Sequence, residues 1–192
     1  MTLTLQAIED ALRAHQPASQ PDHTCARAAV LVPLIVLGGA VHVVLTERSS
    51  DLSLHAGQIA FPGGRQDEYD PSLQMTALRE ANEEIGLADG DVRFISTLSE
   101  HLTRTSHHHI TPFVAEITLA PYPWRLNSAE VTRLFEIPLA HLAKPSNQGK
   151  HEYHPDGELC EARTSPAFFW EGHTIWGATA DILTEFLSVI DS

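Results

Sequence analysis

The sequence predicts an α+β protein with a mixed β-sheet lying between helices. Three observations carry this reading. Segments rich in Val, Ile and Phe come in runs rather than in strict alternation with helices. Amphipathic helical patterns stand before the first run, between runs and after the last. No internal repeat is present, and strands in runs argue against a regular parallel βαβ array.

The elements follow in order. Leu5–Ala14 has helical periodicity, and residues 16–24 form a linker rich in Pro, Ser and Asp. Residues 30–37 and 40–46 are apolar runs joined by Gly38-Gly39, a pattern that predicts a β-hairpin. Residues 28–45 are apolar enough to imitate a membrane span, but Pro33, the glycine pair and His42 disfavour one. A polar loop over 47–54 precedes a short strand ending near Phe61. The Gly63-Gly64 turn then leads into a long helix, with Asp70 as N-cap, Pro71 at the first helical position and Gly86 past the end. Strands are expected at 92–98 and 108–119. Residues 127–142 read as helix or short strand turning at Pro138. Residues 144–161 read as a polar excursion or hairpin, and 167–177 as one strand. Residues 178–190 read as a terminal amphipathic helix.

A chain of 192 residues is enough for one domain, 1–192, with a real core. Its net charge of −13 argues against general nucleic-acid binding, which needs Lys and Arg to displace counterions. An anionic substrate would need another attractor, and a bound divalent cation is the natural one. Cys25 and Cys160 stand far apart and form no metal-ligand pair. The N-terminus lacks the apolar core of a signal peptide. The expectation is reduced thiols and a cytoplasmic protein without membrane attachment.

The long helix carries the chemistry. At about 100° per residue, Leu78, Ala81 and Ile85, with Met75, fall on one side. Glu80, Glu83 and Glu84 fall on the other, and Arg79 stands at their edge, four residues before Glu83. A solvated polar face is the usual explanation of such a side. Three glutamates without an interleaved lysine nevertheless repel one another. A divalent cation would reverse that repulsion, and carboxylate oxygens are the ligands Mg²⁺ or Mn²⁺ prefers.

"REANEEIGL", residues 79–87, with Gly64 upstream resembles the Nudix box, here about residues 64–87. "LTERSSDLSLHAGQIAFPGGRQDEYD", "TALREANEEIGL", "AAVLVPL" and "IWGATADIL" further resemble the coenzyme A pyrophosphatase branch of the Nudix hydrolases. Two positions depart from the pattern. Asp70 stands where the general spacing puts a glutamate, with a gap to Arg79 one residue longer. Ser53 stands where the branch usually has an arginine.

The resemblance implies a Nudix α/β/α sandwich. It also implies Mg²⁺- or Mn²⁺-dependent hydrolysis of coenzyme A, free, acylated or oxidised, to 3′,5′-ADP and 4′-phosphopantetheine. Carried over residue by residue, Glu80, Glu83 and Glu84 are the metal ligands. Glu80, Glu83 and Arg79 are the catalytic set, with Arg79 pairing Glu83, Asp67 or Asp70. Arg48, Arg65, Gly63 and Gly64 bind substrate. The general base is Glu80 or Glu83 within the box or Glu130 outside it, although Glu130 reads more simply as an acid at a helix N-terminus.

The alternatives are a Nudix hydrolase of ADP-ribose, NADH or an oxidised nucleotide, and a non-catalytic nucleotide-binding regulator. The intact acids of the box speak against the regulator. His107, His108 and His109 cannot all share one strand face, and His107 and His109 should oppose His108. Arg104 or one of these histidines is a minor candidate for a phosphate contact. Trp170 and Trp176 are candidates for stacking on adenine, with core packing the commoner fate.

Overall fold

The computed structural model describes residues 3–19, 25–50, 56–103, 108–154 and 163–191. Ser53, Arg104, His107, Cys160 and the end of the 144–161 excursion lie outside them.

The sheet is organised by one strand buried on both faces. In β1 (Ala26–Leu37), Ala29, Leu31 and Ile35 enter one core, while Val32 and Leu34 enter the other. A strand covered on both sides needs no polar alternation, which is why this segment imitates a membrane span. Its hairpin partner is β2 (Ala40–Arg48), reached through Gly38-Gly39 as expected. Among the described residues no helix is long and apolar enough to cross a membrane.

β1 also pairs in parallel with β7 (His108–Ile117), and antiparallel with the short β4 (Gly63–Arg65). β2 pairs with β3 (Ile59–Ala60) and with β8 (Val131–Pro138); β7 pairs with β5 (Val92–Thr97) and β6 (His101–Leu102). One parallel pairing among antiparallel ones makes the sheet mixed, as the sequence predicts. α2 (Leu73–Ile85) covers one face, through Leu73, Ala77, Ala81 and Ile85. On the other face lie α1 (Leu5–Ala14), through Ile8 and Leu12, and α4 (Ala178–Ile190), through Ile182, Leu183 and Phe186. The result is an α/β/α sandwich.

One segment decides between the alternatives the sequence left open, and two places differ from expectation. Residues 131–138 are a strand, completed by the single-turn α3 (Leu139–Leu142), because Val131, Phe135 and Ile137 enter the core with the period of a strand. Residues 167–177 hold two strands, β10 (Arg163–Trp170) and β11 (His173–Trp176), turning at Glu171-Gly172 with φ of 47° and 84°. With β9 (Gln148–Tyr153) they form a second, antiparallel sheet. Met75 is exposed rather than in the core, because the buried arc of α2 is centred nearer Ala77 and Ala81.

Candidate active site

Gly63 and Gly64 bring the main chain close to two neighbours at once. A β-carbon on Gly63 would lie 2.4 Å from the Ala29 carbonyl oxygen, so β4 can pair with β1 only without one. A β-carbon on Gly64 would lie 2.5 Å from Glu80 Cδ. The glycine turn thus opens the space that a carboxylate of the next helix fills.

α2 begins two residues later than the sequence suggests. Ser72, not Asp70, is the N-cap, and its hydroxyl accepts the Met75 N–H at 3.3 Å. Asp70 is otherwise engaged. It accepts the Asp67 N–H and the Thr76 hydroxyl, each at 2.9 Å, and a two-pronged contact from Arg79 Nε and Nη2, each at 3.0 Å. The Arg79 guanidinium holds the Asp70 carboxyl down at about 2. Asp67 does not reach Arg79; it closes the loop by accepting the Tyr69 N–H.

Arg79 is the hub that ties loop to helix. Besides Asp70, it donates to the Arg65 carbonyl at 3.0 Å, and its Nη1 lies 2.8 Å from Glu80 and 3.1 Å from Glu83. Such a fork is a task for guanidinium rather than ammonium.

The three glutamates separate. The Glu83 side chain is 50% exposed, Glu80 16% and Glu84 only 4%. Glu84 therefore does not lie opposite the core. It falls beside Ala77 and Ala81 on the arc facing the sheet, because the acidic arc overlaps the buried one. Burial pushes the Glu84 carboxyl up to about 8; Arg48 opposes this, Glu80 and Glu130 add to it, and the Gly63 N–H opposes it. Burial also raises Glu80, against Arg79, with Glu83 and Glu130 adding to the rise. Arg48 Nη1 stands 3.6 Å from Glu84 Oε1. Glu84 Oε2 and Arg48 Nε are both buried without a hydrogen-bond partner.

Glu130 belongs to the same cluster, and not to a helix N-terminus. It ends a turn built by Asn127, whose carbonyl accepts the Glu130 N–H at 2.9 Å and whose side-chain amide donates to Glu130 Oε1 at 3.1 Å. The Asn127 N–H is bound to the Glu84 carbonyl at 2.9 Å, so one residue couples the end of α2 to Glu130. Sequence reasoning missed Asn127. Its signal, Asn followed by Glu three residues on, is shared by turns and helix caps.

Arg65 lies apart from the carboxylates, since strand alternation turns its side chain away from the face that Gly64 presents to Glu80. Its Nε donates to His108 Nε2. His109 is buried with Nδ1 3.8 Å from Glu100, opposite to His108 as alternation requires. Trp170 packs edge-on to His141, and Trp176 against His151 and Tyr153.

Among the described residues no three His, Cys, Asp or Glu side chains stand in ready-made metal-ligand geometry. The donor set nevertheless fits a hard divalent ion. The negative charges of Glu80 and Glu130 raise the proton affinity of Glu84, those of Glu83 and Glu130 raise that of Glu80, and Glu84 keeps a buried oxygen with no partner.

Residues 26–157 match the NUDIX domain. The "Uncharacterized Nudix hydrolase NudL" of Yersinia pestis (strain Pestoides F) is 40% identical over 157 residues, covering 82% of this chain and 76% of that protein. The same fold recurs in a MutT/nudix family protein from Enterococcus faecalis, at TM-score 0.55, 13% identity and coverage of 99% of this chain and 71% of that one. It recurs also in the Nudix hydrolase RenU from M. smegmatis, at TM-score 0.52 and 24% identity, covering 62% and 73%. The chain belongs to the Nudix hydrolases, enzymes of nucleoside diphosphate-linked compounds that work with divalent metal ions.

Proposed function

We propose that the protein hydrolyses the diphosphate bond of coenzyme A, free, acylated or oxidised, giving 3′,5′-ADP and 4′-phosphopantetheine. The observation that carries the catalytic part is the buried Glu84 oxygen without a partner, grouped with Glu80 and Glu130 behind the Gly63-Gly64 turn. The choice of coenzyme A is supported by the four sequence segments resembling that branch, which run from residue 28 to residue 183.

In this reading Glu80 and Glu84 would hold Mg²⁺ or Mn²⁺, with the half-exposed Glu83 as a third ligand. A bound divalent ion neutralises diphosphate oxygens and lowers the pKa of a water beside them. Arg79 fixes the carboxylates that do the holding, anchored in turn on Asp70. Gly63 and Gly64 let the Glu80 carboxylate stand against the main chain where the diphosphate is to be met, and Arg48 meets the diphosphate charge. Glu130, held by Asn127, takes the proton of the attacking water; Glu80 and Glu83 are the other bases within reach of the cluster. The water oxygen bonds to one phosphorus, the bridging P–O bond breaks, and the second phosphate leaves with the electron pair. Arg65 serves from the rim, beside His108, toward the 3′-phosphate.

Purified protein with Mg²⁺ is incubated with coenzyme A, acetyl-coenzyme A, ADP-ribose, NADH and 8-oxo-dGTP, and products are read by mass. Release of 3′,5′-ADP from the coenzymes alone is expected. Turnover of ADP-ribose or NADH in preference to them would reassign the substrate, and no turnover of any would remove the enzymatic reading.

A further inference from the structure

Arg48 is the last residue of β2, where pairing with β8 shifts register between Glu47 and Arg48. Such an irregularity re-aims the side chain that follows it. The Arg48 backbone is fixed from both sides: its N–H donates to the Gln58 carbonyl at 3.0 Å, and its carbonyl accepts the Gly57 N–H at 3.1 Å. The head of the side chain is held far less well. Nη1 is 3.6 Å from Glu84 Oε1, close enough for ionic attraction and too far for a hydrogen bond. Arg48 Nε is a buried donor and Glu84 Oε2 a buried acceptor, and neither has a partner. A purely structural pair would close into the two-pronged contact that Arg79 makes with Asp70 only a short way along the same helix. This pair leaves a donor and an acceptor open instead.

We propose that Arg48 is a displaceable counter-charge. Whenever Glu84 is ionised, Arg48 is its counter-charge until a divalent cation takes that role, and the guanidinium is then released to the anionic diphosphate. The inference rests on reading Glu84 as a cation ligand and goes beyond it, because one arginine opposes the cation before the exchange and supports the substrate after it. Arg48 and the cation therefore compete for Glu84, while cation and substrate reinforce each other through Arg48. A static ion pair opposes the cation too, but it does not couple cation and substrate.

The test is Mg²⁺ binding to the full chain without substrate, followed by isothermal titration calorimetry between pH 7.5 and 9.5. Affinities are compared at the high-pH plateau, where protons no longer compete for carboxylates. Arg48→Gln is expected to bind Mg²⁺ about tenfold more tightly than the parent, as loss of a like charge a few ångströms away requires. Arg48→Lys, which keeps the charge, is expected to bind as the parent does. With Mg²⁺ saturating, Arg48→Gln is expected to bind inorganic pyrophosphate about tenfold more weakly. Arg48→Met replaces Arg48→Gln in the comparison if circular dichroism shows the latter misfolded. Mg²⁺ affinity unchanged or weakened in the folded neutral variant overturns the displaceable role. Parental Mg²⁺ affinity in Glu84→Gln overturns instead the reading of Glu84 on which it rests.

Discussion

The Glu80 carboxylate lies against the α-carbon of Gly64, where a β-carbon would come within 2.5 Å of Glu80 Cδ. The glycine and the glutamate are therefore one device, made by a strand and a helix that are adjacent in the chain. Gly64→Ala should force Glu80 aside while leaving most of the β1–β4 pairing. A displacement of about 1 Å in a catalytic group can lower turnover about a hundredfold. Steady-state kinetics should show a fall in kcat of that order, with a far-UV spectrum like the parent. Parental kcat would mean that Glu80 need not occupy this place.

Asp70 makes a separable prediction about stability. Its carboxyl is held at about 2, below its ordinary value, by Arg79 first and then by the Asp67 N–H and Thr76. A group with a depressed pKa in the folded state contributes stability above its unfolded pKa of about 3.9, and loses it as pH falls through 2. Asp70→Asn should therefore cost about 2 kcal/mol at pH 7, the usual worth of a charged hydrogen-bonded contact. The difference from the parent should shrink between pH 4 and pH 2 in urea titrations. A cost that persists unchanged at pH 2 would assign the effect to packing rather than charge.

Glu84 has the opposite sign. Its carboxyl is raised to about 8, chiefly by burial. The folded, metal-free protein thus holds a proton that the unfolded chain releases near 4.3. Stability then declines as pH rises from about 4.3 toward 8, and levels off once both states are ionised. Glu84→Gln should remove most of that decline, and so stabilise the protein at pH 8 in the presence of a chelator by on the order of a few kcal/mol. It should also abolish metal-dependent hydrolysis. Thermal melts with EDTA across pH 5–9 separate the two effects; a decline as steep as the parent's would mean that Glu84 is not the group responsible.

These sites differ in how far the sequence discloses them. α1 and α4 stand where periodicity places them, and Gly86, with φ of 69°, ends α2 as expected. Such signals are local: a cap, a glycine, a period. The Arg79 network was legible in kind, because an arginine among acids must pair with some of them. Which acids it pairs depended on the loop that folds Asp70 back toward the helix. The burial of Glu84 was not legible, because a helical wheel gives relative angles and not the centre of the contact with the sheet. That centre is set by the space over Gly63 and Gly64 and by β1, which are tertiary facts. Glu130 was misread for a similar reason. Asn-Ser-Ala-Glu opens a helix as well as it closes a turn, and only pairing of Val131 onward with β2 decides between them.

Asn127 gives the last prediction, and it concerns a residue that never touches substrate in the proposed reaction. Its amide donates to Glu130 Oε1 and its N–H to the Glu84 carbonyl, so it sets Glu130 against the end of α2. If Glu130 takes the proton, Asn127→Ala should lower kcat about tenfold through loss of orientation, with KM little changed, because ground-state binding is untouched. Glu130→Gln should lower kcat by about a hundredfold or more. In the double variant the two losses should not add, since Asn127 acts through Glu130. Full additivity of the two, or a near-parental kcat in Glu130→Gln, would move the general base to Glu80 or Glu83 and leave Asn127 as a turn residue only.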